Sequence, residues 1–255
     1  MQGGGRVDGR TAAGYLYQSA GISRSIRGAR TCVDLGCGTG VQLLQLAAVN
    51  PRIHFTGVDH CEAMLDVAAR TADALGLANL SWVRDDIIHP KHLGAGSFDA
   101  VVSTMSLHHL PDLESLERCL HSARSLLSPR GAVYLEDFAR LKSPRSVEFF
   151  IHRGTDRTLV NPHDPFSTLY RCSLEAAFTR RELQQATRVL SAARLHATFP
   201  VSFLCVISTP DRGLDADTRS ALLTLRAGLT TQQARDLADL MRAFAWGGFL
   251  RDVFA

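Results

Sequence analysis

From Arg30 onward, short β-rich apolar runs alternate with stretches of helical period. The pattern predicts strands over 31–35, 53–58, 80–84, 98–103 and 132–136, with helices over 40–49, 61–75 and 113–127 between them. Pro51 and Pro129-Arg130-Gly131 punctuate the returns. Such alternation predicts βαβ units and a doubly wound, mostly parallel α/β sheet with helices on both faces. A helix over 180–190 precedes two further runs, 194–199 and 203–208, separated only by Pro200 and its neighbours. Those two runs read as an antiparallel hairpin at a sheet edge. Before Arg30, Gly3 to Gly5 suggest a loose start that leads into a short helix.

Beyond Pro210 the pattern turns wholly helical, with helices predicted over 215–225 and 231–246. In the second, Leu237, Leu240, Met241, Phe244 and Ala245 recur with spacings of 3, 1, 3 and 1, a helical stripe. Trp246, Phe249, Leu250, Val253 and Phe254 extend it past Gly247-Gly248, where the helix is expected to bend or break. Each large apolar side chain gains about 1.5–3 kcal/mol on burial, so this tail needs a cover. Three covers are open: the parent domain, the roof of a pocket, or a second copy in a homodimer.

Composition narrows the class. The chain has 255 residues, 45% hydrophobic and 21% charged, as an ordinary globular domain does. Its longest apolar runs fall short of the roughly 18 residues that a membrane span requires, and residues 1–6 lack the apolar segment of a secretory signal. A net charge of +3 is too small to argue for a nucleic-acid partner. Six cysteines without a C-x-x-C pair suit a reducing compartment, so the cytoplasm is expected and no metal site is.

Candidate chemistry begins at Val33-Asp34-Leu35-Gly36-Cys37-Gly38-Thr39-Gly40. Here a glycine-rich turn follows a strand and opens a helix, letting a ligand approach the backbone and the helix N-terminus receive a negative group. Val41 stands where a dinucleotide fingerprint has its third glycine. Asp59 ends the second strand, where a carboxylate either accepts both ribose hydroxyls of an adenosine-containing ligand or caps the next helix. Asp85-Asp86 end the third strand, either to take an adenine amino group or as solvated turn residues. His108-His109 follow the fourth strand, on the loop that opens onto the crevice of such a sheet. An imidazole there serves as general base or orients the loop. Glu136 and Asp137 end the fifth strand at the same crevice, to bind substrate or cap a helix.

These segments, with Phe98 to Ser103 running into Leu107-His108-His109-Leu110-Pro111-Asp112 and with Leu126 to Ala132, resemble the class I S-adenosylmethionine (SAM)-dependent methyltransferases of small molecules. The resemblance spans about residues 10–210. It implies a seven-stranded sheet of order 3-2-1-4-5-7-6 and SAM as cofactor, leaving as S-adenosylhomocysteine. It places Gly36, Gly38 and Gly40 around the methionine moiety, Asp34 near its amino group, and Asp59 on the ribose with His60 beside it. Asp85 meets the adenine amino group with Asp86 nearby, and Ser103 lies on the floor near the sulfonium. Tyr15 and Tyr17 resemble aromatics that close over SAM, with Tyr15 turned to substrate; buried packing suits at least one of them. The resemblance divides the chain into a helical lid segment (1–29), a SAM-binding domain (30–212) and a helical tail (213–255). An insertion over 143–178 would be the substrate lid, with Phe149, Phe150, His152, Arg153 and Asp137 toward a compact, partly apolar acceptor.

The implied function is methyl transfer to an O, N or C atom of a small molecule, with His108 or His109 catalytic. The alternative is a SAM-binding protein that does not methylate. A nicotinamide oxidoreductase would want a Tyr-x-x-x-Lys pair, yet Lys91 and Lys142 are the only lysines and follow Ile87 and Phe138 at that spacing. A nucleic-acid methyltransferase would want an Asn/Asp-Pro-Pro-aromatic signature after the fourth strand, where Ser103-Thr104-Met105-Ser106 stands.

Overall fold

The computed structural model describes residues 12–154, 165–250 and 252–255. Seven strands, β1 (Thr31–Leu35), β2 (His54–Asp59), β3 (Leu80–Arg84), β4 (Phe98–Thr104), β5 (Leu127–Phe138), β6 (Arg194–Ala197) and β7 (Leu204–Ser208), form one sheet of order β3-β2-β1-β4-β5-β7-β6. β1 to β5 run parallel, while β7 pairs antiparallel with both β5 and β6. The expected edge hairpin is therefore present, with β6 outermost.

Alternation along the strands splits the core in two, as the pleat requires. Cys32, Phe55, Val102, Tyr134 and Val206 face one side, covered by α1 (Ala12–Ile26), α2 (Val41–Val49), α8 (Ala216–Ala227) and α9 (Thr231–Trp246). Val33, Val58, Val101 and Leu135 face the other, covered by α4 (Leu113–Leu126) and α7 (Arg180–Ala186). α3 (Glu62–Ala74) packs on β2 and β3. Within the expected lid lie α5 (Pro144–Gly154) and α6 (Pro165–Ala176), which enclose a small core of Val147, Ile151 and Leu174.

Two elements depart from expectation. β5 starts at Leu127 rather than 132, because Pro129-Arg130-Gly131 forms an irregularity inside the strand instead of a turn before it: Phe98 pairs Leu127, and Ala100 then pairs Ala132. Proline offers no N–H to the ladder, so the pairing skips there. The helix expected over 180–190 narrows to α7 followed by a 3₁₀ turn over Thr187–Val189.

β1 pairs with β2 on one side and β4 on the other, so the chain leaves it in opposite directions at its carboxyl end. That switch point is where an open α/β sheet offers a crevice.

Candidate active site

The glycine turn opens off β1 and is tied to the end of β2. Amides of Gly36 and Cys37 donate to the Val58 carbonyl at 2.8 and 3.0 Å, and the Gly38 amide donates to Asp59 Oδ2 at 2.9 Å. Gly36 adopts φ 79°, and a Cβ on it would lie 1.8 Å from Ser106 Oγ. The loop after β4 thus rests directly on the turn. It gets there through Met105, whose φ of 51° is the one left-handed non-glycine value among the described residues. Gly38, with φ 55°, has open space: the nearest atom to an added Cβ would be Met64 Sδ at 3.9 Å. α2 follows with no side-chain cap, leaving its first amides for a ligand.

Three buried polar atoms lack a partner among the described residues: Tyr17 Oη, Asp34 Oδ1 and Gln42 Oε1. Asp34 lies at the end of β1, and its carboxyl is pushed up to about 7 by burial and then by the charge of Asp59. A buried carboxyl with a bare oxygen is costly unless a donor meets it. Gln42, in the first turn of α2, donates to Ser19 Oγ at 2.7 Å and leaves its own oxygen bare. An open turn, uncapped amides and acceptors awaiting a cationic donor fit SAM, whose amino group is such a donor. Sequence reading passed over Gln42; a polar side chain just past the glycine turn was the available signal.

Other expected cofactor residues divide. Asp59 is buried and accepts from Gly38 and, through Oδ1, from the Cys61 amide at 2.9 Å, with the exposed His60 beside it at 3.4 Å. Asp85 accepts from the amides of Asp86, Lys91 and His92 at 2.9, 2.8 and 2.7 Å. Burial alone would raise this carboxyl; the three amides outweigh it and hold it below its usual value. A carboxylate has about four acceptor positions, so Asp85 closes its own loop and has room for one more donor. Asp86 accepts from the Ile88 amide. Ser103 is fully buried, and its hydroxyl donates to the Leu35 carbonyl at 2.7 Å and binds β4 to β1. Tyr17 takes the packed alternative, its ring sealed in the core and stacked on Phe244 at 5.0 Å. Tyr15 is half-buried.

On the acceptor side, His108 and His109 form a 3₁₀ turn with ring centroids 4.1 Å apart. His108 is buried, its Nδ1 2.7 Å from Asp137 Oδ1 and its amide donating to Oδ2 at 3.1 Å. Asp137 thus holds His108 at both its ring and its amide. His109 is exposed, yet partial desolvation and then the neighbouring His108 hold its imidazole below the usual value. Neighbouring Glu136 is buried, accepting from Tyr134 Oη at 2.7 Å and Gln18 Nε2 at 3.2 Å. Burial pushes its carboxyl up to about 7. Phe138 lies against His108 and Tyr170 of α6, both at 5.5 Å. Of the lid residues, Phe150 stacks on Phe203 at 4.3 Å, Phe149 and His152 are exposed, and the Arg153 side chain lies outside the described residues, as does that of Phe166.

Part of the chain is similar to known proteins. Residues 32–131 match the methyltransferase domain family. The trans-aconitate 2-methyltransferase of Deinococcus radiodurans is 44% identical over 80 residues, 31% of this chain and 28% of that protein. The ubiquinone biosynthesis O-methyltransferase of Actinobacillus pleuropneumoniae is 29% identical over 111 residues, 42% of this chain and 45% of its own. These matches span only about a quarter to a half of the curated relatives' length. Among solved structures, the plantazolicin methyltransferase BpumL in complex with SAH aligns over 89% of this chain and 80% of its own, with TM-score 0.56 and 18% identity, a likeness of fold. The matched segment runs from β1 through the start of β5 and so carries the glycine turn, Asp59 and the histidine loop; over that segment the chain is similar to methyltransferase domains, and its sheet has the order of the class I SAM-dependent methyltransferases.

Proposed function

We propose that the chain transfers a methyl group to an O, N or C atom of a small-molecule acceptor, and that His109 takes the proton when that atom belongs to a hydroxyl or amine. The carrying observation is the imidazole pair after β4, with His109 exposed at the crevice edge and its neighbour His108 locked by Asp137. Bound SAM supplies a methyl group already activated by a positive sulfur. The work left to the protein is alignment, which accounts for about 7–11 kcal/mol of such barriers, and disposal of a proton. His109, with its lowered pKa, is neutral at neutral pH and keeps a lone pair to accept that proton. Asp137 accepts from Nδ1 of His108, so the ring on which His109 rests has one orientation. His108 and Asp137 are thus positioning residues.

Phe138, Tyr170 and the Phe149-Phe150 pair of α5 support a compact, partly apolar acceptor. So do the two relatives, whose names concern trans-aconitate and ubiquinone biosynthesis. No described helix is long and apolar enough to cross a membrane.

The test measures S-adenosylhomocysteine release against a panel of phenols, carboxylic acids and amines. Release with one class supports transfer, and no release with any overturns it in favour of a SAM-binding protein that does not methylate. With the acceptor in hand, His109→Ala should lose about 10²–10⁴-fold in turnover while keeping its SAM affinity. The wild-type kcat/KM should fall as pH drops through the lowered histidine pKa, and that limb should vanish in the variant. Wild-type turnover in His109→Ala would remove it from the proton's path.

A further inference from the structure

The end of the sheet opposite the glycine turn gathers arginines. β1, β4 and β5 begin there and antiparallel β7 ends there, so four strands deliver their flanking residues to one place. Arg30, Asp99, Ser128, Arg130 and Arg212 line a recess of about 350 Å³ with Gly28 and Ala29. Arg27 adjoins it: its Nη1 donates to the Arg212 carbonyl at 2.9 Å, and Arg212 Nη1 returns a bond to the Arg27 carbonyl at 3.4 Å. Arg212 Nη2 also donates to the Arg130 carbonyl at 3.0 Å.

None of these four guanidinium groups pairs with a carboxylate among the described residues. Neighbouring Arg24, by contrast, is bidentate to Asp211 at 2.9 and 2.6 Å. The one acid in the recess, Asp99, is turned to the backbone, its Oδ2 accepting from the amides of Arg30 and Thr31 at 2.8 and 3.3 Å. Three positive groups therefore line one volume, with Arg27 beside it, against a single carboxylate that already serves two amides. Their mutual repulsion is relieved by an anion of high charge density, and the planar five-donor guanidinium matches phosphate oxygens in pairs. Arg27 and Arg212 are already held by main-chain bonds, so less freedom is lost on binding.

We propose that this recess binds the diphosphate group of a small molecule. A single carboxylate or monophosphate would leave part of the set of three lining arginines unmet, and a recess of this size suits a small ligand. The arginines surround one hollow instead of tracking along an extended face, which disfavours a nucleic-acid strand. β1 separates the recess from the glycine turn by five residues, about 17 Å of extended chain, so the diphosphate site and the methyl-transfer site are distinct.

The experiment titrates pyrophosphate into the full chain by calorimetry at low and moderate salt. It compares wild type with the Arg30→Ala/Arg130→Ala double variant, whose altered side chains make no hydrogen bond among the described residues. Saturable one-to-one binding in wild type, weakened at least 30-fold in the variant with SAM affinity and Tm unchanged, is the expected result. ADP and a base-free organic diphosphate form two further arms: tighter ADP binding points to a nucleotide, and tighter binding of the base-free ester points to another diphosphate. No saturable binding in wild type, or equal affinity in the double variant, overturns the proposal. So does binding of transfer RNA that depends on these arginines while pyrophosphate does not bind. The proposal rests on nothing in the methyl-transfer site, so its failure leaves that reading intact.

Discussion

A side-chain carbon at Gly36 would meet two penalties at once: a φ of 79°, and a contact 1.8 Å from Ser106 Oγ. Gly38 has the strained φ but open space beyond it. Gly36→Ala should therefore lower Tm and push the histidine loop off the turn, whereas Gly38→Ala should keep more of its stability and still lose SAM affinity by intruding on ligand space. Calorimetry and thermal melts separate the two; equal Tm losses would contradict the contact with Ser106. Asp59 works differently, since its oxygens hold the Gly38 and Cys61 amides. Asp59→Ala should cost about 1.5–3 kcal/mol of SAM binding, the worth of hydrogen bonds to a charged group, and wild-type affinity would remove it from the site. The places of the glycine turn, Asp34 and Asp59 at the ends of β1 and β2 were legible in the sequence because strand–helix alternation marks where each strand stops. The clamp of Asp137 on His108 was not: it joins residues 29 apart, and depends on the register that sets Thr104 beside Glu136. The roles of Ser103 and Asp85 were hidden for the same reason, since pattern locates a polar side chain at a strand end and leaves its partner open.

Between elements, α1 is pinned to the sheet by polar contacts that hydrophobic periodicity does not reveal. Gln18 donates to Glu136 on β5, and Ser19 receives both Gln42 and Gln45 of α2. Strand positions and sheet order were readable from alternation and resemblance, while the skipped pairing in β5 needed the partner strand to be seen. Burial leaves Glu136 and Asp34 each with a carboxyl near 7, well above the roughly 4 of an unfolded chain. Over that window the folded form binds more protons than the unfolded one. The stability these groups contribute is thus full below about pH 4 and is lost as pH rises through about 7. His109 and His196, held low by partial desolvation, act in the opposite sense, because the unfolded chain takes up the protons they refuse. The clean observable is a difference between proteins. Glu136→Gln should gain Tm relative to wild type more at pH 8 than at pH 5, since only the wild type must bury an ionised carboxylate at the higher pH. A difference of the same size at both values would place the titration elsewhere.

Across the whole molecule, α1 and the helical tail close one face of the sheet together. The tail stripe was visible in sequence, but its cover was not, because an apolar stripe looks the same whether it meets its own domain or a second copy. Among the described residues it meets its own: Phe244 stacks on Tyr17, and Leu237, Val253 and Phe254 are buried in the core that α1 shares with β1 and β5. Arg24 of α1 is tied both to Asp211 and to the Ala255 carbonyl, and Arg219 of α8 donates to the Phe254 carbonyl at 2.9 Å. Trp246 is the exception, 67% exposed at the end of α9. Phe244→Ala removes a fully buried ring and its stacking partner's support, so it should cost about 3–5 kcal/mol and lower Tm by many degrees. Trp246→Ala, just over half a turn on, should stay within about 0.5 kcal/mol of wild type. Deleting residues 213–255 would bare Tyr17, Ile22 and the neighbouring strand face to water, a larger apolar surface than a monomer normally tolerates. Light scattering should then show aggregation or a raised mass per particle. A truncated protein that stays monomeric and binds SAM as the full chain does would mean that the tail is an ornament on a core already closed by α1 alone.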